Sequence, residues 1–283
     1  MGKRKKWARK RIICILCLIV ALVIIILCYP LIYTGMIKTA VRNNDAGRVK
    51  ELLALPGDVN YFFYSAIMEY SGDTPLDVAC KTNNIEMMEL LLHNGASPNK
   101  PDGFGQPLVY VLQGSYEGLF ERTKLLVESG AELSRGEGLD WQPIQWLFSR
   151  SDFRDRSTLA EANAEVYKTL VYLVEHGAIV EARIPRNTFQ NLLNTVKNEN
   201  HKATEYLVEQ GIDINLRSIS EPNNTVLMRA AEPGSLATVE FLLGLGADPS
   251  ISDDEGRTAL DYAREGGFED IAQLLEYESS KEG

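Results

Sequence analysis

The sequence has few of the side chains that carry most enzyme chemistry. It holds three histidines and four cysteines, and three of those cysteines (Cys14, Cys17 and Cys28) lie in one apolar N-terminal run. It contains no His-Glu-x-x-His, Gly-x-Ser-x-Gly or phosphate-cradling Gly-Lys-Ser/Thr sequence. We therefore predict a protein that is not an enzyme and has no metal or other cofactor. The remaining cysteine, Cys80, has no second cysteine outside the apolar run with which to form an internal disulfide.

Basic residues are scarce after the first eleven positions. Seven of the 29 basic residues precede Ile12, whereas the rest of the chain carries 22 basic and 39 acidic residues, a net charge of −17. An acidic body repels phosphate backbones, which argues against nucleic acid as a partner. Its acidity favours a basic or polar protein surface as the partner.

An apolar run follows the basic segment. No charged residue occurs from Ile12 to Tyr29, and the uncharged stretch continues to Ile37. About 20 apolar residues cross the hydrocarbon core of a bilayer as a helix. We therefore predict a basic cytoplasmic segment over residues 1–11 and a transmembrane signal-anchor helix over residues 12–33.

The basic flank predicts an orientation for this helix. By the positive-inside rule, residues 1–11 stay in the cytoplasm, so a single-pass protein would place its body outside the cytoplasm. A cleaved secretory signal is the alternative. Such signals usually have a shorter apolar part that ends in a small-x-small cleavage site, and no Ala-x-Ala follows the run here. The uncleaved anchor is the favoured interpretation.

The remainder of the chain repeats. Five apolar triplets, each followed by a glycine, lie at Leu90–Leu92, Leu125–Val127, Tyr172–Val174, Tyr206–Val208 and Phe241–Leu243. The spacings between their glycines are 35, 47, 34 and 35 residues, which indicates a repeat of about 33 residues with one insertion. Because glycine adopts the left-handed conformation without a Cβ clash, we predict that each glycine ends a helix and opens a turn.

A second, shorter helical pattern precedes each triplet. It is clearest from Gly72 to Leu90, where Thr74 and Pro75 form a helix start and Ala79 and Cys80 are small enough for close helix packing. This segment resembles an ankyrin repeat, as do the segments beginning at Thr225 and Gly256. The resemblance implies an all-α ankyrin-repeat solenoid, with helix-turn-helix units joined by β-turn fingers, of about seven units over residues 36–276, followed by a tail over residues 277–283.

Three units match the pattern poorly. Gln106, Gln142 and Gln190 stand where the family has its threonine, and larger residues replace the alanine pair that follows. We expect local irregularity in these units, because larger residues at the seam widen the spacing between the helices.

Several features go beyond the scaffold. Tyr61, Phe62, Phe63 and Tyr64 make the connection between the first two units long and aromatic, which favours either a protein contact or packing against the first unit or the membrane. The insertion at residues 150–157 has mixed charge and is typical of a solvated loop, although it also offers a charged recognition element. Trp141 is the better interface candidate of the two nearby tryptophans, and Trp146 fits core packing.

The resemblance also implies partner-binding positions, because ankyrin proteins vary certain residues of the fingers and first helices. In this sequence those positions are Tyr70, Asp73, Lys81, Thr82, Trp141, Ser149, Phe189, Lys197, Asn198, Asn224, Glu232, Arg257 and Glu265. The expected function is a membrane-tethered protein-binding module that sequesters or neutralises a specific protein. A scaffold that organises a membrane or envelope complex by self-association is the alternative. A small-ligand sensor is a third, less favoured hypothesis, because open solenoids seldom enclose a pocket.

Overall fold

The computed structural model describes residues 2–61, 73–99, 106–133, 143–149, 158–180, 185–219 and 222–281. Over these ranges the chain forms α-helices joined by turns and no β-strand, which confirms the all-α prediction. The helices are α1 (Gly2–Arg42), α2 (Ala46–Leu53), α3 (Pro75–Lys81), α4 (Ile85–His93), α5 (Pro107–Gln113), α6 (Leu119–Glu128), α7 (Pro143–Phe148), α8 (Leu159–Glu175), α9 (Pro185–Lys197), α10 (His201–Glu209), α11 (Val226–Ala231), α12 (Leu236–Gly244), α13 (Ala259–Gly266) and α14 (Glu269–Lys281).

The helices divide between two compact units, Met1–Gly114 and Ser115–Gly283. In the first unit α3 contacts α1, α4 and α5, and α1 also packs on α2. In the second unit α7, α9, α11 and α13 contact one another in order and form one layer. The other layer includes α8, which packs on α6 and α10, and α14, which contacts α12. Each unit is thus built by stacking short helical pairs.

The apolar triplets supply the core between the layers. The middle residue of each triplet is fully buried, and these residues are Leu91, Leu126, Leu173, Leu207 and Leu242. The glycine that follows each triplet has a positive φ, between +87° and +99°. The prediction that these glycines end the second helices in the left-handed conformation is therefore confirmed.

The residue at the N-terminal end of each first helix decides whether that end is capped by a side chain. At α3 the Thr74 hydroxyl accepts the backbone N–H of Asp77 at 3.1 Å, and the Asp77 carboxylate accepts the Thr74 backbone N–H at 2.7 Å. At α5 the corresponding residue is Gln106, whose side chain makes no such N-cap bond. Gln190 is not at a helix start at all, because α9 begins five residues earlier, at Pro185. This longer helix is the irregularity found in that repeat.

Helix α1 belongs both to the apolar N-terminal run and to the first repeat. Its segment Ile15–Arg42 has a mean hydropathy of 3.2 over its most apolar window and, by length and composition, is able to cross a bilayer. No other helix in the described ranges passes that test. The C-terminal part of α1 packs against α2 and α3. The helix therefore continues without a break from the apolar run into the first repeat.

Candidate protein-binding surface

Two clefts open beside the helices of the second unit. Cleft A, of about 710 Å³, lies between the α9–α10 turn and the α11–α12 turn. Its lining residues are Val196, Lys197, Glu199, Arg229, Ala230, Glu232, Pro233, Gly234, Ser235 and Thr238. Cleft B, of about 410 Å³, lies between α11 and α13. Its lining residues are Pro222, Asn224, Arg229, Glu232, Arg257, Tyr262, Glu265 and Gly266.

The two clefts share Arg229 and Glu232 and so form one continuous surface. These two residues lie at the C-terminal end of α11, where Arg229 Nη1 is 2.7 Å from the Glu232 carboxylate. The cleft residues balance in sign, with Lys197, Arg229 and Arg257 set against Glu199, Glu232 and Glu265. This surface therefore offers both charge signs at fixed positions to a partner.

Backbone geometry sets the walls of cleft A. Glu199 has a φ of +52° in the turn between α9 and α10, and Asn200 then caps α10 by accepting the backbone N–H of Ala203. Across the cleft, Gly234 has a φ of +80° and packs against the ring of Phe268, where a Cβ would come within 2.2 Å of the ring. Glycine is therefore required at this turn, both for its φ and for the close approach of the ring.

A buried polar network supports the floor of cleft B. The side chain of Asp253 is fully buried, and its carboxylate accepts backbone N–H groups of Glu255 and Arg257, each at 2.9 Å. It also accepts the Arg257 Nε–H at 3.1 Å and the Tyr262 hydroxyl at 2.8 Å. The Tyr262 oxygen in turn accepts the Asn224 amide at 2.9 Å. These bonds fix the direction of the Arg257 guanidinium.

The surroundings of Asp253 and Tyr262 determine the protonation states of these two side chains. Burial acts to raise the pKa of Asp253, but hydrogen bonds from the Arg257 backbone, the Tyr262 hydroxyl and the Arg257 side chain outweigh it and lower the pKa to about 2. Burial, followed by the hydrogen bond to Asp253, raises the pKa of Tyr262 to about 12. At neutral pH Asp253 is therefore ionised and Tyr262 is a neutral donor to it.

Arg257 keeps one side open to the cleft. Its Nη1 is 3.9 Å from the Glu265 carboxylate, and its Nη2 is 3.4 Å from that of Glu255, while both glutamates are largely exposed. Exposed ion pairs of this kind contribute little and exchange readily. A partner carboxylate can therefore replace them without disturbing the buried contact with Asp253.

Six of the predicted positions in the second unit fall into three groups. Lys197, Glu232, Arg257 and Glu265 line the clefts with exposed or partly exposed side chains. Asn224 also lines cleft B but is buried, and it holds Tyr262 in place. Phe189 needs correction as a contact residue: it is only 5% exposed, because it faces the core from within α9.

In the first unit, three predicted positions lie close together at α3. Lys81 pairs with the Asp73 carboxylate, and its Nζ lies 4.0 Å from the centre of the Tyr110 ring. The Asp73 carbonyl accepts a hydrogen bond from Lys38 Nζ at 2.9 Å. The Thr82 hydroxyl donates to the Val78 carbonyl at 2.9 Å and so bonds to a backbone carbonyl at the C-terminal end of α3. Tyr61 is half-buried at the edge of the described segment.

Other predicted features lie outside the described residues. They are Phe62, Phe63, Tyr64, Tyr70, Trp141, Gln142 and the insertion at residues 150–157. Sequence reasoning missed Glu199, Arg229, Asp253 and Tyr262. For Asp253 a signal was present in the spacing Asp253-x-x-x-Arg257, which is typical of a carboxylate accepting bonds from a tight turn. Arg229 carried no comparable signal, since its position depends on how neighbouring repeats stack.

Comparison with known protein families agrees with this architecture. A family described as "Ankyrin repeats (3 copies)" matches residues 192–282, and one described as "Ankyrin repeat" matches residues 71–103. The chain therefore contains ankyrin repeats in these two segments. Among solved structures, the chain is similar to the ankyrin repeat domain of human ASB11, with a TM-score of 0.63 and 19% identity over 84% of this chain and 96% of that one. That likeness concerns the fold alone.

The chain is also similar to parts of several curated proteins. The chain is 24% identical, over 72% of its length, to the ankyrin repeat and KH domain-containing protein mask-1 of Caenorhabditis elegans, and covers 8% of that protein. It is 26% identical, over 45% of its length, to the putative E3 ubiquitin-protein ligase XBAT34 of Arabidopsis thaliana, and covers 34% of it. A third relative, human ARF GTPase-activating protein GIT2, is 42% identical over 19% of this chain and is covered to 7%. The chain thus spans only a minor part of each relative.

Proposed function

We propose that the protein is a membrane-tethered binding module that holds a segment of another protein in clefts A and B. Ankyrin repeats are protein-interaction modules, which supports a protein as the ligand. The observation that carries the proposal is the continuous surface of the two clefts, which six charged side chains line and in which Arg229 and Glu232 belong to both clefts. Arginine on a rigid support is among the side chains that dominate binding energy at protein interfaces.

The buried network explains why this surface suits recognition. Immobilising a long side chain on binding costs about 0.5–1.5 kcal/mol. Arg257 is already held by Asp253 and Tyr262, so most of that cost is met in the folded protein. The balanced charges favour a polar segment that carries both signs, with an acidic group for Lys197 or Arg257 and a basic or amide group for Glu232.

A charge reversal tests the proposal. In Lys197→Glu full-length protein, purified in detergent, the affinity for the partner captured from native membranes should fall about tenfold, equivalent to about 1.4 kcal/mol. Lys202→Glu is the matched control, because Lys202 is also an exposed lysine but lies on α10 and lines neither cleft. Equal affinities of the two variants, or capture that does not saturate, would contradict a specific site in the clefts.

We favour a function in which the protein sequesters one specific target protein beside the membrane. The alternative function is a scaffold that the protein forms by self-association. Analytical ultracentrifugation of the full-length protein in detergent separates the two: a tight oligomer that Lys197→Glu dissociates would assign the clefts to a second copy of the chain. A monomer that binds a different protein would support sequestration.

The tether rests on the apolar run of α1 and on the basic residues that precede it. We propose that residues 1–11 lie in the cytoplasm, that residues 12–33 cross the bilayer and that the repeats lie outside the cytoplasm. Protease treatment of cells that express the full-length chain with a C-terminal tag tests this orientation. Digestion of the repeats once the outer barrier is opened is the expected result. Protection until the cytoplasmic membrane is breached would reverse the orientation.

A further inference from the structure

Helix α1 changes environment abruptly at Tyr33. The large apolar side chains described between Ile15 and Ile32 are exposed, Ile32 to 59%, whereas Tyr33 is 3% exposed and Ile37 is fully buried. This exposed run ends at Ile32, and the uncharged stretch that contains it begins at Ile12, so it has 21 residues; at 1.5 Å per residue they span about 32 Å, close to the thickness of a hydrocarbon core of about 30 Å. The last turn of the exposed run therefore falls at the boundary between hydrocarbon and headgroups.

A turn of the first repeat reaches back to this boundary. The segment Ala54–Gly57 follows α2, and the carbonyl of Pro56 accepts the Tyr29 hydroxyl at 2.5 Å. Gly57 packs against the Tyr33 ring so closely that a Cβ there would lie 2.4 Å from Cε1. Tyr29 and Tyr33 are stacked, with ring centres 5.9 Å apart. The turn is thus fixed beside α1 at the level of Tyr29, which lies one helical turn inside the exposed run.

The composition of this turn differs from that of its equivalent in the next repeat. After α4 the chain continues Asn94-Gly95-Ala96-Ser97, with polar and small residues, whereas after α2 it continues Ala54-Leu55-Pro56-Gly57. Leu55 is 50% exposed, and no charged residue occurs between Glu51 and Asp58. An exposed leucine in an uncharged turn, continuous with an apolar surface, favours an apolar environment around it.

From this geometry we infer that the turn Ala54–Gly57 is a second membrane contact, in which Leu55 enters the interfacial zone of the bilayer beside Tyr29. The inference rests on the proposed membrane tether and adds a lipid-contacting site within the repeat domain. Tyrosine is enriched in this zone because its ring is apolar and its hydroxyl is polar. Here the hydroxyl is bonded to Pro56, so the helix and the turn enter the zone together.

Tryptophan scanning in vesicles tests the contact. The full-length protein is reconstituted into phosphatidylcholine vesicles, with or without lipids brominated on the acyl chain near the headgroup. The Leu55→Trp variant should show blue-shifted added emission, relative to the parent protein, and lose most of it to the brominated lipid. Ile219→Trp is the matched control, because Ile219 is 59% exposed in the second unit, and its added emission should not change.

A third variant separates this inference from the tether itself. Leu22 is exposed within the apolar run, so Leu22→Trp reports on whether α1 enters the bilayer. Quenching of Leu22→Trp by lipids brominated deep in the chain, with Leu55→Trp behaving like Ile219→Trp, would overturn the second contact and leave the tether intact. No quenching at either position would overturn the tether as well.

Discussion

The first repeat of the first unit and the last repeat of the second unit are stabilised in different ways. Terminal repeats of a stack must present an outer face that does not need a neighbour. The last repeat presents the outer helix α14, which is rich in acidic residues, and is held inside by the buried network that joins Asp253 and Arg257 of the preceding turn to Tyr262 of α13. The first repeat has no polar network of this kind among its described residues. Its first helix is the end of α1, and it is held by buried apolar side chains.

The difference shows that two terminal repeats of one chain can be stabilised by two kinds of chemistry. At the first repeat, Tyr33, Ile37 and Val41 supply the packing against α2 and α3. At the last repeat, a buried carboxylate gathers four donors from a single turn and from α13. Apolar closure is largely insensitive to pH and salt, whereas polar closure depends on the charge of Asp253.

The largest effect is expected from a cavity in the first repeat. Ile37→Ala should lower the local free energy of unfolding by about 3 kcal/mol, because it removes fully buried methyl groups and leaves a void. Hydrogen exchange of peptides from α1 and α2 measures this in detergent. The exposed Ile32→Ala variant is the control and should leave exchange in α2 unchanged. A loss below about 1 kcal/mol would mean that packing does not hold this repeat.

The next largest effect is expected from the last repeat. Asp253→Asn removes the charge that four donors face and should destabilise α13 and α14 by about 2 kcal/mol, since hydrogen bonds to charged groups are the stronger ones. Asp254→Asn changes an adjacent, exposed carboxylate and should have a much smaller effect. The readout is again hydrogen exchange, and equal effects of the two variants would refute the role of the network.

A pH titration sharpens the comparison. The pKa of Asp253 is lowered from 3.8 to about 2 in the folded protein, so its charge contributes stability that is fully present above pH 3.8. That contribution is lost as the pH falls from 3.8 towards 2. Exchange in the last repeat should therefore accelerate over this interval in the wild-type protein and lose this component in Asp253→Asn. An identical pH profile for the two proteins would contradict the assignment.

The smallest effect is expected from exposed ion pairs at either end. Arg264 pairs with Glu276 in the last repeat and Arg48 pairs with Glu51 in the first, and all four side chains are about half exposed or more. Arg264→Ala and Arg48→Ala should each cost less than about 1 kcal/mol. A loss as large as that of Asp253→Asn, seen by thermal unfolding of either variant, would mean that surface pairs share in closing the stack.

Local features of this fold could be predicted because local sterics decide them. The left-handed glycines after each triplet follow from a helix that must stop and turn, and the Thr74 start follows from hydroxyl capping. The start of α9 at Pro185 could not be predicted from local sterics, because the family pattern placed Gln190, five residues later, at the start of this helix. A helix that extends beyond its pattern is decided by tertiary packing and not by capping residues.

Part of the candidate surface was predicted from the sequence, and part of it was missed. Lys197 and Arg257 came from the variable positions of the family, and the structure brings both to the clefts. Arg229 was missed because its importance arises only where two clefts meet. Phe189 was misjudged because the pattern gave its position along α9 but not the side of the helix that the core covers. Whether the cleft residues bind a protein stays a prediction.

The unbroken path of α1 has a mechanical consequence. A transmembrane helix tilts to match its apolar length to the thickness of the bilayer around it. Because α1 carries the first repeat on its own C-terminal end and Tyr29 braces the turn after α2, that repeat must lean whenever the helix leans. In the proposed membrane topology α1 therefore acts as a lever, and the thickness of the surrounding lipid would set the angle at which the first repeat stands on the membrane.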